Sequence, residues 1–296
     1  MPAKVQKTGS KSKASIRVQM NDNKAPPDRY AVVGHPVEHS RSPLIHQLFA
    51  QQTGQNITYE LIDAEPAAFE TAVRGFGAAG GKGMNVTVPH KEAAFELVDE
   101  ISDRAQAAGA VNTISIENGK LRGDNTDGVG FMRDLVTNYR QRVEGRSVLV
   151  LGAGGAARGI LGPLLAAKPR ALVIANRTPE RARDLVTQLG APAGLEAAAF
   201  ASLTELAAFD LVINATSAGL HGEVPPFPAS IVGPATFCYD LVYGVNETPF
   251  VRWAREAGAA QAVAGWGMLV EQAAESFFIW RGVRPDTAEI RKQLGH

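Results

Sequence analysis

From Tyr30 onward the chain alternates short apolar runs with stretches whose apolar positions recur at helical spacing, the pattern of an α/β protein with mainly parallel strands. A first series predicts strands at 30–34, 58–62, 82–88 and 110–116, separated by helices near 43–53, 66–79 and 91–108. Glu117-Asn118-Gly119-Lys120 is a tight-turn signal, so 110–116 and 120–123 are expected to pair as a hairpin. A helix over 127–140, with apolar Val129, Phe131, Met132, Leu135 and Val136, leads into a short polar link from Arg142 to Arg146. A second series predicts strands at 147–151, 171–175, 211–214, 237–243 and 260–263. The closing helices, about 268–280 and 286–294, have no further strand to serve and are expected to cross back onto the first series. The expected fold is therefore two α/β domains facing a cleft, one over 30–130 completed by 265–296 and the other over 131–264.

Residues 1–29 break this pattern. Lys4, Lys7, Lys11, Lys13, Arg17, Lys24 and Arg29 stand against Asp22 and Asp28 with little apolar content, so a disordered, solvated basic extension is expected. Because the whole chain balances 30 Lys and Arg with 30 Asp and Glu, the remainder is net acidic. The overall balance argues against a nucleic-acid or membrane surface as the dominant feature and for a small-molecule partner. At 296 residues and 45% hydrophobic content the chain can bury a large core. The single cysteine, Cys238, lies in an apolar stretch, which excludes an internal disulfide and a zinc–thiolate site and suits a reducing, cytoplasmic compartment. No apolar run approaches the ~20 residues of a membrane span. The six histidines show no ligand pattern, and no metal is expected.

Candidate chemistry begins where Ser147-Val148-Leu149-Val150-Leu151 runs into Gly152-Ala153-Gly154-Gly155-Ala156-Ala157. Between a strand and a helix these residues suit a dinucleotide turn: Gly152 for the tight turn, Gly154 for backbone approach to a pyrophosphate, Ala157 for close helix packing. The helix N-terminus then stabilises the anion. The domain over 131–264 is therefore expected to be Rossmann-like. After the strand 171–175 an NAD enzyme usually carries an acid for the ribose 2′-hydroxyl, but this chain has Asn176-Arg177-Thr178 and then Arg181. Two permanently charged guanidinium groups there favour a 2′-phosphate, hence NADP(H). In the first domain His39-Ser40-Arg41-Ser42-Pro43 places Ser42 as a plausible helix N-cap and Pro43 at the first helical position, and the two hydroxyls can also hold a carboxylate. Alternation puts Asn85 and Thr87 on one strand face, with Lys91 at the strand's carboxyl end.

Taken together, HSRSP (39–43), NVTVPHK (85–91), GAVNT (109–113), GDNTDGVG (123–130), GAGGAAR (152–158), NRTPER (176–181), NATSAG (214–219) and GWGMLVEQAA (265–274) closely resemble the shikimate dehydrogenase family. The resemblance implies NADPH-dependent reduction of 3-dehydroshikimate to shikimate, and the reverse oxidation. It implies Lys91 and Asp127 as the catalytic pair, with Ser40 and Ser42 on the substrate carboxylate. Asn85, Thr87, Asn112, Asp127, Tyr243 and Gln272 would hold the ring hydroxyls. On the cofactor side it implies Gly152, Ala153, Gly154, Gly155 and Ala156 at the pyrophosphate, and Asn176, Arg177, Thr178 and Arg181 at the adenosine 2′-phosphate. Leu241, Gly265 and Met268 would lie near the nicotinamide, with Asp103 carried to the same region. Three positions depart from the family pattern: His90 before the lysine, Gln47 after His46, and Tyr243 without a proline soon after it. A quinate/shikimate dehydrogenase and a non-catalytic NADP-binding paralogue are the competing readings, and the oligomer is expected to be a monomer or a homodimer.

Overall fold

A computed structural model of the chain describes residues 25–223, 227–244 and 246–294. Residues 1–24, which hold most of the expected basic extension, lie outside the described residues. Asp28 and Arg29, counted within the expected extension, belong instead to the first strand.

The first sheet contains β1 (Asp28–Gly34), β2 (Ile57–Asp63), β3 (Gly81–Val86), β4 (Glu100–Ile101), β5 (Thr113–Glu117) and β6 (Lys120–Asp124), in the order β2-β1-β3-β5-β6-β4. β1 runs parallel to β2 and β3, and β4 parallel to β6, but β5 is antiparallel to both its neighbours. The sheet is thus mixed, because the hairpin at Asn118-Gly119 reverses the chain. Its helices are α1 (Ser42–Thr53), α2 (Phe69–Ala78), α3 (Lys91–Leu97) and α4 (Asp103–Ala108). The single helix expected over 91–108 is therefore two: Ser102 accepts a bond from the Ala105 amide and restarts the helix after the edge strand β4.

α5 (Asp127–Met132) continues as a π-helical turn through Arg133–Asn138 and leads to the second sheet. That sheet comprises β7 (Ser147–Leu151), β8 (Ala171–Asn176), β9 (Leu195–Ala199), β10 (Leu211–Asn214), β11 (Phe237–Asp240) and β12 (Gln261–Ala264), all parallel in the order β12-β11-β10-β7-β8-β9. α6 (Gly155–Ala166), α7 (Pro179–Gln188) and α8 (Pro249–Glu256) flank it. Alternate residues of β7 serve two cores: Val148 and Val150 pack under α5, α6 and α7, while Leu149 and Leu151 pack with Cys238 and Phe250. Covering both faces is what makes such a strand read as an unbroken apolar run. β9 escapes sequence reading, because Leu195-Glu196-Ala197-Ala198-Ala199 has helical composition and becomes a strand by lying along β8.

The chain ends in α9 (Trp266–Arg281) and α10 (Thr287–Gln293). α9 lies against the first sheet, where Val270, Ala273, Ala274 and Phe277 pack on Ile45 and Phe49 of α1. α5 is wedged between α9 and α6. A Cβ on Gly130 would stand 2.6 Å from the Gln272 backbone nitrogen, and one on Gly128 2.5 Å from the Gly159 carbonyl oxygen. Only glycine permits both approaches. Among the described residues no helix is long and apolar enough to cross a membrane.

Candidate active site

Lys91 opens α3 and Asp127 opens α5, the helices that follow β3 and β6, two strands that run the same way on either side of β5 and so end at the same edge of the first sheet. Lys91 Nζ donates to Asp127 Oδ2 at 2.5 Å, with the two side chains 15% and 5% exposed. Asn112 Nδ2 donates to the other carboxylate oxygen at 2.8 Å, and the Asp127 amide donates to Asn125 Oδ1 at 3.1 Å. The aspartate therefore has a fixed orientation and a charged partner. Asp124, three residues earlier, is taken by a bidentate contact from Arg104 at 2.9 and 2.8 Å, so it does not compete for the lysine.

Asn112 is the hub of a buried network. Its Oδ1 accepts from the Thr126 amide at 2.8 Å, and its Nδ2 also reaches Thr126 Oγ1 at 2.9 Å and Gln272 Oε1 at 3.4 Å. Asn85 donates to Ser276 Oγ at 2.9 Å and Thr113 Oγ1 at 3.3 Å, which joins β3, β5 and α9. Asn85, Asn112, Asp127, Gln272 and Lys91 thus meet in one region. Thr113, Thr126 and Ser276 belong to the same network although sequence reasoning left them out; each has a visible signal, the threonines inside GAVNT and GDNTDG, and Ser276 one turn beyond Gln272 on the same helix face.

Thr87 is half-buried just past β3, its amide bonded to the Val33 carbonyl. Ser40 and Ser42 lie at the start of α1, and the Ser40 hydroxyl donates to that of Ser42 at 3.2 Å. Ser42 is the first residue of α1 rather than its cap: Arg41 holds the cap position without a side-chain bond, and Pro43 is the second helical residue. Ser40 Oγ also accepts from the Ser42 amide at 3.3 Å, so it helps close the helix start, while the Ser42 hydroxyl makes no capping bond. Tyr243 follows β11, its ring tilted against Trp266 at 4.9 Å. His90, one of the departures, has a structural explanation: its ring bonds the Ala64 carbonyl at 2.7 Å and stacks on Phe69 at 4.6 Å, so it packs as an aromatic residue would.

The dinucleotide turn sits beside the lysine. A Cβ on Gly155 would lie 3.5 Å from Lys91 Cβ. Gly152 has φ +108° and passes so near the loop after β10 that a Cβ would stand 3.0 Å from the Ala215 carbonyl, which leaves glycine as the only residue that fits. Ala153 is buried, Ala156 is half-buried in the first turn of α6, and Gly154 caps that helix with no side-chain bond, leaving its first amides open. At the end of β8, Asn176 Nδ2 bonds the Thr178 carbonyl at 2.9 Å and shapes the turn that carries Arg177 and leads into α7, whose first turn carries Arg181. Both arginines are exposed and, among the described residues, have no ion-pair partner. These observations fit a phosphorylated dinucleotide. Gly265 packs against the Leu241 carbonyl, and Met268 is buried with Tyr239, so Leu241, Gly265 and Met268 form one apolar wall. Asp103 stands exposed in the first turn of α4, and no described contact ties it to that wall.

Family models match three stretches: the shikimate dehydrogenase substrate binding domain over residues 32–114, shikimate / quinate 5-dehydrogenase over 134–221, and the shikimate 5′-dehydrogenase C-terminal domain over 265–294. The shikimate dehydrogenase (NADP(+)) of Alkalilimnicola ehrlichii is 57% identical over 89% of this chain and 97% of that protein. The crystal structure of an Ael1 enzyme from Pseudomonas putida has a TM-score of 0.83 at 49% identity, covering 90% of this chain and 98% of that one. A shikimate 5-dehydrogenase from Thermus thermophilus, solved in complex with NADP(H) and shikimate, has a TM-score of 0.78 at 35% identity over 90% of this chain and 97% of the other. With identity this high along nearly its whole length, the chain belongs to the shikimate dehydrogenase family.

Proposed function

We propose that the protein is an NADP-dependent shikimate dehydrogenase, interconverting 3-dehydroshikimate and shikimate on the way to aromatic amino acids. The observation that carries this reading is the Lys91–Asp127 pair at 2.5 Å, enclosed by Asn112 and Gln272 and adjoining the dinucleotide turn at Gly155. The nicotinamide, when bound, supplies or accepts hydride. As the ketone is reduced, negative charge grows on its oxygen, and the Lys91 ammonium donates a hydrogen bond to it and then a proton. Asp127 orients the ammonium, held in place by Asn112 and by its own amide bond to Asn125. Ser40 and Ser42 bind the carboxylate, while Asn85, Thr87, Tyr243 and Gln272 hold the ring. Gly152 to Ala156 receive the pyrophosphate, Asn176 to Arg181 the 2′-phosphate, and Leu241, Gly265 and Met268 the nicotinamide; Asp103 has the least support in this set. The first sheet with α9 and α10 acts as substrate domain and the second sheet as cofactor domain. The enzyme works in the cytoplasm as a monomer or homodimer, without a nucleic-acid partner; a sole, buried cysteine supports the reducing compartment.

The test is absorbance at the reduced-nicotinamide band with shikimate or quinate, each with NADP+ or NAD+. Turnover with shikimate and NADP+ far above the other three combinations is expected. Comparable turnover of quinate or with NAD+ would move the assignment to a quinate/shikimate enzyme, and silence in all four with NADPH still bound would refute catalysis. Lys91→Ala should lower kcat on the order of 10³-fold while sparing NADPH binding.

A further inference from the structure

Tyr59 lies on β2, outside every motif that identifies the family, yet its hydroxyl donates to Asn85 Oδ1 at 2.7 Å. The opposite end of the same amide donates to Ser276 Oγ at 2.9 Å and to Thr113 Oγ1 and the Asn112 carbonyl at 3.3 Å. The two faces of Asn85 are therefore told apart by their partners, with Tyr59 supplying the donor for the carbonyl end. Burial raises the Tyr59 phenol well above its ordinary range, opposed by Ser42 and reinforced by the neighbouring Tyr243. Its hydroxyl thus stands among Ser42, Asn85 and Tyr243, side chains from α1, β3 and the turn after β11.

The ring is held from behind. His46, one turn after Ser42 on α1, stacks on Tyr59 with centroids 4.2 Å apart and planes 9° apart. His46 is fully buried, and neither ring nitrogen meets a partner in hydrogen-bonding geometry. Burial pushes its pKa down to about 3 despite the nearby Asn85, so it serves as a neutral aromatic slab, braced edge-on by Phe49 at 5.7 Å.

We infer that Tyr59 is a positioning residue for the ring-bearing substrate: its hydroxyl, on a ring clamped by His46, fixes the Asn85 amide in the orientation that receives a substrate hydroxyl. This rests on the reading of Asn85 as a substrate residue. Tyr59→Phe keeps the stack and removes only the hydroxyl. It should raise KM for shikimate about tenfold, with kcat and KM for NADP+ close to wild type. Asn85→Ala should also raise that KM, and adding Tyr59→Phe to it should cost nothing more, because the hydroxyl then has no amide to hold. A wild-type KM in Tyr59→Phe beside a raised KM in Asn85→Ala overturns the inference alone, as do independent, additive losses. A wild-type KM in Asn85→Ala overturns the substrate reading of Asn85 and the inference with it.

Discussion

Arg183 and Arg181 lie two residues apart on α7, but only Arg183 is paired, to Glu180 at 2.5 Å. Arg181 and Arg177 stand exposed after β8 without an anionic partner among the described residues. Two cations, one in the turn after β8 and one in the first turn of α7, left uncompensated are suited to a phosphate. A charge-assisted hydrogen bond contributes about 1.5–3 kcal/mol, so Arg177→Ala should weaken NADP(H) on the order of 10- to 100-fold and NAD(H) little. Titration of both cofactors by fluorescence checks this, and an equal loss for both would remove the 2′-phosphate role. At this scale the sequence is most readable where a residue type answers to one chemistry, as with Gly152 or Lys91. It is least readable where the role depends on who else arrives. Thr113 and Ser276 carry a local signal for the site but none for Asn85, and Tyr59 carries neither, since β2, β5 and α9 meet there only in the folded chain.

Among the elements, the turn leaving β11 depends on one buried carboxylate. Asp240 accepts from Asn214 Nδ2 at 2.9 Å, the Val242 amide at 3.1 Å and Thr248 Oγ1 at 2.6 Å, while Thr248 caps α8 by accepting from the Val251 amide. The turn bearing Leu241 and Tyr243 is thereby tied to β10, β11 and α8 at once. Burial raises the Asp240 pKa to about 6, against the opposing bonds from Thr248, Val242 and Asn214. An acid whose folded pKa is raised binds its proton more tightly in the folded state. Its contribution to stability is therefore greatest below the unfolded value and is lost as pH rises through about 6. The ionised form costs about 3 kcal/mol at neutral pH. Asp240→Asn should cancel this dependence, since the Thr248 hydroxyl can turn to accept from the new amide. Melting curves between about pH 4 and pH 7 should show wild type gaining on the variant as pH falls; a constant offset would contradict the assignment. The β–α alternation made most of these elements legible, because both faces of the second sheet are buried and its strands are continuously apolar. β9 and the division of residues 91–108 into two helices were not, because an alanine-rich strand and a helix break set by Ser102 depend on tertiary neighbours.

On the scale of the molecule, the two sheets are joined through a buried polar chain on the π-helical turn after α5. Tyr239 of β11 donates to Asp134 at 2.5 Å, and Asn138 donates to Asp134 at 2.7 Å and to Glu271 of α9 at 3.3 Å. Thr287 and Arg291 of α10 close it, donating to Glu271 at 2.7 Å and to Asn138 Oδ1 at 2.9 Å. Asp134 is fully buried, and burial raises its pKa against the bonds from Tyr239 and Asn138. Tyr239→Phe removes one donor from a carboxylate that water cannot reach and should destabilise the protein by about 1–3 kcal/mol, read as a lower urea midpoint at unchanged slope. A midpoint within error of wild type would mean the chain of bonds carries no stability. The two-sheet plan could be inferred from hydrophobic patterning, but this joint could not, because Asp134 looks like a surface acid until β11 and α9 are packed around it.

The position of α9 also bears on the order in which the protein is made. Ile45, Phe49 and the His46–Tyr59 stack face Phe277 and its neighbours, so the first sheet emerges from the ribosome with one face bare until residue 277 and beyond have been synthesised. The second sheet uses only residues 147–264, a continuous segment whose strands can all pair before α9 exists. Domains usually form in the order of synthesis; here the half that begins first is finished last, and α9 both closes its core and delivers Gln272 and Ser276 to the site. A nascent chain stalled before α9 would hold a complete nucleotide fold beside an open apolar sheet, which makes α9 and α10 the step that commits this chain to a working enzyme.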